Sequence, residues 1–229
     1  MSVQNPLDWQ PVAAPNHATL AGHFIKLEAL DSARHGDDLW LALQGPDSDP
    51  LLWDYLPYGP FAERSAFDNW LAGNAASADP QFYAVIEQAS QRCVGLLSFL
   101  RITPKDGCIE IGHVAFGRAM QRSPASTEAV YLLAELALGT LGYRRLEWKC
   151  NALNARSIRA AERLGFSYEG TFRQHMVIKG HNRDTAWFSI IDREWPACRS
   201  AFQRWLAAGN FDVAGQQLQR LEALRASTS

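Results

Sequence analysis

Polar and apolar positions change period along this chain, and the changes divide it into elements. HFIKLEAL at 23–30 alternates as a strand does, and Asp31 and Ser32 then offer a helix cap ahead of ARHGDDLWLALQ. SAFDNWLAGNAA at 65–76 has the spacing of a short helix. QFYAVIE (81–87), CVGLLSFLRIT (93–103) and CIEIGHVAF (108–116) are strand-like runs separated by QASQR and PKDG, the order of an antiparallel meander. The period then lengthens. A helix is expected from about Pro124 to Leu141, a strand at RRLEWKC (144–150), and a helix in NARSIRAAERLGF that Gly165 would stop. FSYEGTFRQHMVI and DTAWFSII read as two last strands joined at KGHN, and REWPACRSAFQRWLAA and AGQQLQRLEALRAS as terminal helices. A meander followed by strand–helix–strand–helix–strand–strand predicts an α/β (α+β) fold with one mixed sheet flanked by helices.

Residues 1–21 carry three prolines and no periodicity, so they are expected as an irregular extension before a domain at 22–192. Residues 193–229 form the helical extension, where Phe202, Trp205, Leu206, Leu218, Leu221 and Leu224 recur at helical spacing. That spacing predicts packing against the core, with a homodimer contact as an additional role. GPDSDPLLWDYLPYGPFAE, after the first helix, is too broken by Pro and Gly for regular structure and too apolar for a disordered linker.

Charge and cysteines narrow the classes. A formal net charge of −2 argues against a nucleic-acid binder. Cys93, Cys108, Cys150 and Cys198 lie far apart with no CxxC pair or Cys/His cluster, so buried free thiols are expected rather than disulfides, and no metal site. The N-terminus lacks the basic and apolar regions of a signal peptide, and no apolar run reaches the length of a membrane span. These features predict a soluble cytoplasmic protein with no membrane partner.

QRSPAST at 121–127 raises a choice between a well-capped helix start and a cradle for phosphate. Ser123 suits an N-cap and Pro124 the first helical position. The following amides, of Ala125, Ser126 and Thr127, are unpaired by helix geometry, and the dipole adds positive character. Such an end holds phosphate, with Arg122, Ser123, Ser126 and Thr127 able to add charge and hydroxyls.

The order of motifs carries a resemblance. EIGHVAF, QRSPASTEA opening a helix, LEWKC, then N-x-x-S and L-G-F at Asn154, Ser157, Leu164, Gly165 and Phe166 together resemble the GNAT superfamily of N-acetyltransferases, and within it the RimJ/RimL type. The likeness covers roughly 22–195. It implies a strongly twisted sheet and an amine that attacks the thioester of acetyl-CoA directly. The family loop Q/R-x-x-G-x-G/A maps onto Gln121 and Arg122 at its start, with Pro124 in the central glycine position and Ser126 in the last small one. Proline removes one amide donor from the cradle, though one the helix does not use.

The resemblance further implies an oxyanion donor on the backbone around Val114 and Ala115. The tyrosine acid of many relatives falls at Ala161, so that role is vacant, and Ser157 matches the serine that RimL-like enzymes use instead. Ser157 reads equally as a helix-face serine bonding a carbonyl. Asn154 is expected to cap the helix and to contact the coenzyme. Glu110 is the candidate base, directly or through water, sharing a strand face with Gly112 and Val114; the alternative is an exposed carboxylate paired with an arginine. His113 is expected on the opposite face, packed. Trp53, Tyr55 and Tyr58, with Phe61, are expected to line the acceptor pocket, beneath an acidic rim of Asp47, Asp49, Asp54, Glu63 and Asp68 that would draw a cationic amine. Three readings result: transfer to a protein N-terminus, transfer to a small amine such as an antibiotic or peptide-nucleotide, or a non-catalytic acyl-CoA sensor.

Overall fold

The computed structural model describes residues 7–227. Strands β1 (Leu20–Ala21) and β2 (Ile25–Ala29) precede helices α1 (Ser32–Gln44) and α2 (Arg64–Ala75). The meander follows as β3 (Gln81–Glu87), β4 (Cys93–Thr103) and β5 (Cys108–Phe116). Helix α3 (Pro124–Ala134) runs on as a π-helical turn over Glu135–Thr140, then come β6 (Arg145–Asn151), α4 (Ala155–Leu164), β7 (Ser167–Ile178) and β8 (His181–Ile191). Helices α5 (Trp195–Leu206) and α6 (Leu221–Ala226) end the chain. The strands form one sheet in the order β1-β2-β3-β4-β5-β6-β8-β7. Every neighbouring pair is antiparallel except β5 and β6, which the α3 crossover makes parallel.

Two apolar layers cover the sheet. On one face Tyr83, Phe99, Ile111, Leu146 and Phe188 pack against α3, α4, α5 and α6 through Leu133, Ala161, Phe202 and Leu224. On the other, Phe82, Ala84 and Leu96 pack under α1 and α2 with Leu39, Phe67 and Leu71. Strand β3 lies beneath both layers, which is why its residues Gln81–Ile86 are all buried. Each fully buried large side chain contributes about 1.5–3 kcal/mol.

A buried carboxylate joins the ends of the first layer. Glu128 of α3, 3% exposed, accepts hydrogen bonds from the backbone amides of His23, Phe24 and Ile25 at 2.7–2.9 Å. Those amides belong to the tight connection into β2, so one helix residue closes a segment more than a hundred positions away.

Several expected boundaries move. Residues 20–21 form a strand, and the preceding extension is anchored by Trp9, whose indole donates to Lys105 O at 2.8 Å, and by Pro15, whose carbonyl accepts from buried Gln81. The last helix begins at Leu221 rather than near Ala214, because Asn210 and Asp212 hold the backbone of 214–219 in a non-helical course. Leu218 falls in that course and is 63% exposed, against the packing expected of it, whereas Phe202, Trp205, Leu221 and Leu224 are buried as their spacing predicts. The final hairpin turns on Lys179 and Gly180, both at positive φ, as a two-residue turn requires.

Candidate active site

The site begins where two strands part. Parallel pairing of β5 with β6 runs from Cys108↔Arg145 to Ile111↔Trp148 and stops there. Both strands continue, to Phe116 and Asn151, so their facing edges diverge without a ladder and leave backbone groups of β5 open around Val114 and Ala115.

A bulge sits at the point of divergence. The register of β4 on β5 shifts between Leu96↔Ala115 and Ser98↔Gly112, and His113 has φ 50°. The extra residue reverses the alternation. Val114 packs with the α3 layer, not on the Glu110 face as simple period-two counting predicts, and His113 turns to the α1/α2 side, toward Phe82 and Tyr58. His113 therefore shares a face with Glu110, a correction to the expected opposite placement.

At the far end of the divergence the chain leaves β5, makes a 3-10 turn at Arg118–Met120 and enters α3. Ser123 occupies the N-cap position without capping: its hydroxyl donates to Met120 O at 2.6 Å. Among the described residues nothing accepts from the amides of Ala125 and Ser126, so both stay open at the positive end of the helix. Arg122, at φ 57°, is exposed beside them. The Ser126 hydroxyl donates to Ser123 O. Thr127 departs from expectation: it is 2% exposed and its hydroxyl accepts from Arg163, so its side chain faces inward. Gln121 donates to Phe116 O, fixing the loop to the end of β5.

The start of α4 supplies the opposite wall. Asn154 caps it, accepting from the amide of Ser157 at 3.1 Å. Trp148 Nε1, on β6, donates to Ser157 Oγ at 2.9 Å. With one lone pair so engaged, the serine keeps its own proton to donate elsewhere, and the Cys150 thiol lies within its reach. Ala161 is fully buried among the core residues, so the vacated tyrosine position is filled by packing.

The segment after α1 roofs the gap. Asp49 pairs with Arg156 of α4 at 2.7 Å, Tyr55 donates to Leu153 O, and Lys179 of the β7–β8 hairpin donates to Trp53 O at 2.8 Å. Trp53 itself is 3% exposed, its indole bonded to Leu43 O and its ring enclosed by Phe61 and Trp70, so it supports the wall from within rather than lining the pocket. Tyr58 is half-buried against the α1/α2 layer, its hydroxyl 2.8 Å from His113 Nδ1. Burial, reinforced by the charges of Arg101 and Arg183, pulls the His113 pKa down to about 4, and burial pushes that of Tyr58 up. The acidic rim is partly neutralised, Asp49 by Arg156 and Asp68 by Arg64.

Glu110 is buried rather than exposed and pairs with more than the one arginine expected. Its Oε2 receives Arg101 at 2.6 Å and Lys149 at 2.9 Å. Lys149 in turn reaches Glu147 and lies 3.8 Å over the Trp187 ring, while Arg145 joins Glu147 to Glu169. Arg101 and Lys149 both sit on Oε2, and Glu110 Oε1 lies beside Gly112. Trp148 and Lys149 were not singled out in the sequence, and the face and partner of His113 were not foreseen. The N-x-x-S serine could have pointed to an indole on the preceding strand, but the other two depend on the bulge and on cross-strand register.

The strand gap, the open amides of Ala125 and Ser126 at a helix start, and a serine at the start of the next helix are the features of this candidate site. The family model of the GNAT acetyltransferase domain matches residues 27–167. The chain is 30% identical over 151 residues to the N-acetyltransferase p20 of Bacillus licheniformis, covering 65% of this chain and 84% of that one. The crystal structure of a GCN5-related N-acetyltransferase from Brucella melitensis superposes with a TM-score of 0.92 at 45% identity, over 96% of this chain and 99% of the other. The chain belongs to the GNAT acetyltransferase family and is an acyltransferase. Among the described residues no helix is long and apolar enough to cross a membrane, and no group of three or more His, Cys, Asp or Glu could hold a metal.

Proposed function

We propose that this chain is an acetyl-CoA-dependent N-acetyltransferase of the RimJ/RimL-like kind, acting on a primary amine of a protein N-terminus or a small molecule. The observation that carries the reading is the alignment of the β5–β6 gap with the open amides of Ala125 and Ser126. Together they fit a long thioester arm ending in phosphates.

Acetyl-CoA, when bound, supplies an acetyl thioester. Arg122 and the amides of Ala125 and Ser126 hold its phosphates, with Gln121, Ser123 and Thr127 shaping the loop and Asn154 fixing the facing helix. Backbone groups at Val114 and Ala115 stabilise negative charge on the carbonyl oxygen. Ser157 gives a proton to the departing sulfur. Glu110 takes the proton of the amine through its free Oε1, by way of water, while Oε2 stays with its two cations. A protein α-amine, with a pKa near 8 against about 10.4 for lysine, needs the least help from such a base.

Calorimetry with acetyl-CoA tests the reading, followed by a screen of amines for released thiol. Micromolar binding and turnover that falls in Ser157→Ala and Glu110→Gln support it. Binding with no turnover of any amine would instead favour an acyl-CoA sensor, and parent rates in both variants would remove these two residues from the chemistry.

A further inference from the structure

The acceptor side of the sheet carries one cation more than it uses. Arg101, Lys149 and Arg145 are matched by Glu110, Glu147 and Glu169 in a continuous chain of ion pairs. Arg183 stands outside that chain. It is the third residue of β8 and, by two-residue alternation, shares the face of Thr185 and Trp187, opposite the face where Ala186 and Phe188 enter the core. Among the described residues no acceptor bonds its guanidinium, and its Nε is buried without a partner. Glu110 acts on it only at a distance, and burial lowers its pKa. The Nε1 of Trp187 on the same strand face is also buried without an acceptor.

A half-buried arginine with no hydrogen-bonded counter-charge is costly, because desolvation is not offset by direct pairing. Its field reaches His113, at the point where β5 leaves β6. Thr185 pairs with Asn151, the last residue of β6, so Arg183 two positions earlier lies just past the end of β6, at the end where the gap to β5 opens. A cation there repels a bare alkyl-ammonium ion and attracts an acceptor whose amine has an anion nearby. The guanidinium fork suits a carboxylate in two-point contact.

Building on the acetyltransferase reading, we propose that Arg183 anchors a carboxylate of the acceptor, so that the preferred substrates are amines carrying a carboxylate close to the reacting nitrogen. Free amino acids and peptides that open with an acidic residue both present this chemistry. The acidic rim that sequence alone offers for cation capture then acts on the ammonium end, and Arg183 on the other.

The test uses the full chain with acetyl-CoA and measures released thiol for phenylalanine, phenylalanine amide and phenethylamine. A peptide opening with aspartate, set against one opening with asparagine, separates the two sources of the carboxylate. The parent enzyme should favour phenylalanine or the aspartyl peptide over its uncharged counterpart by about 100-fold in kcat/KM, mostly through KM. Arg183→Gln, which has no internal partner to lose, should erase the preference with kcat nearly unchanged, and Arg183→Lys should keep part of it. A second readout is calorimetric: with coenzyme A present, N-acetylphenylalanine should bind the parent more tightly than its amide, and Arg183→Gln should bind both alike. Equal use of acids and uncharged amines by the parent, or a preference that survives Arg183→Gln, overturns the anchor while leaving acetyl transfer intact. Failure to bind acetyl-CoA, with no thiol from any amine, removes the anchor together with the reading beneath it.

Discussion

The hydroxyl of Tyr58 lies 2.8 Å from Nδ1 of His113, and the two rings stack with only 13° between their planes. This contact ties the irregular segment after α1 to the bulge where β5 leaves β6. It relies on a neutral imidazole, because a protonated ring would sit in a desolvated site beside Arg101 and Arg183.

The contact has a pH signature. The folded pKa of His113 is lowered from 6.5 to about 4, so the unfolded chain binds more protons between those values. Stability is then unaffected above 6.5 and falls as pH drops toward 4, by at most about 3 kcal/mol. Urea titrations of the parent and His113→Gln at pH 7, 5.5 and 4.5 should show the parent's advantage shrinking with pH. Parallel lines would mean that His113 is not held neutral.

Ser157→Ala should lower kcat by about 100-fold with acetyl-CoA affinity retained. Trp148→Phe removes only the indole that orients the hydroxyl, so its loss should be smaller, about tenfold. Steady-state kinetics beside coenzyme titrations distinguish these outcomes, and equal losses would assign the effect to packing of Trp148.

Arg122→Glu should weaken acetyl-CoA binding by about tenfold, with the difference shrinking at high salt. The side chain is exposed, so thermal stability should not change. An unaltered dissociation constant would place the phosphates elsewhere.

Glu128→Ala should be the most damaging of these changes to the fold, since it strands three backbone amides in a buried place. A loss of about 3 kcal/mol is expected, and Glu128→Gln should cost less because one acceptor oxygen remains. Denaturant midpoints measure both, and a small effect would show that the turn into β2 holds without the helix.

Local pattern was enough for most of the fold. The meander at 81–116, the cap at Asp31, the stop at Gly165 and the motif run from EIGHVAF to LGF depend on neighbours in sequence, and the family they imply is the one to which the chain belongs. The open amides of Ala125 and Ser126 were legible for the same reason, because they follow from helix geometry alone. Period counting failed where one residue breaks it: the bulge at His113 sends Val114 inward and His113 toward Tyr58, and nothing local distinguishes that strand from a regular one. Trp53 looked like a pocket aromatic because apolarity does not say which wall it faces. Thr127 looked like a ligand until Arg163, thirty-six residues on, claimed its hydroxyl.

Sequence by itself determined the elements, their order and the chemical class, because capping, turn chemistry and periodicity act over a few residues. Tertiary structure alone decided the charges. Whether Glu110 is free or paired, and whether Arg183 has a partner, depends on register among β5, β6 and β8, where the choice of opposing residue sets the Coulomb and desolvation balance.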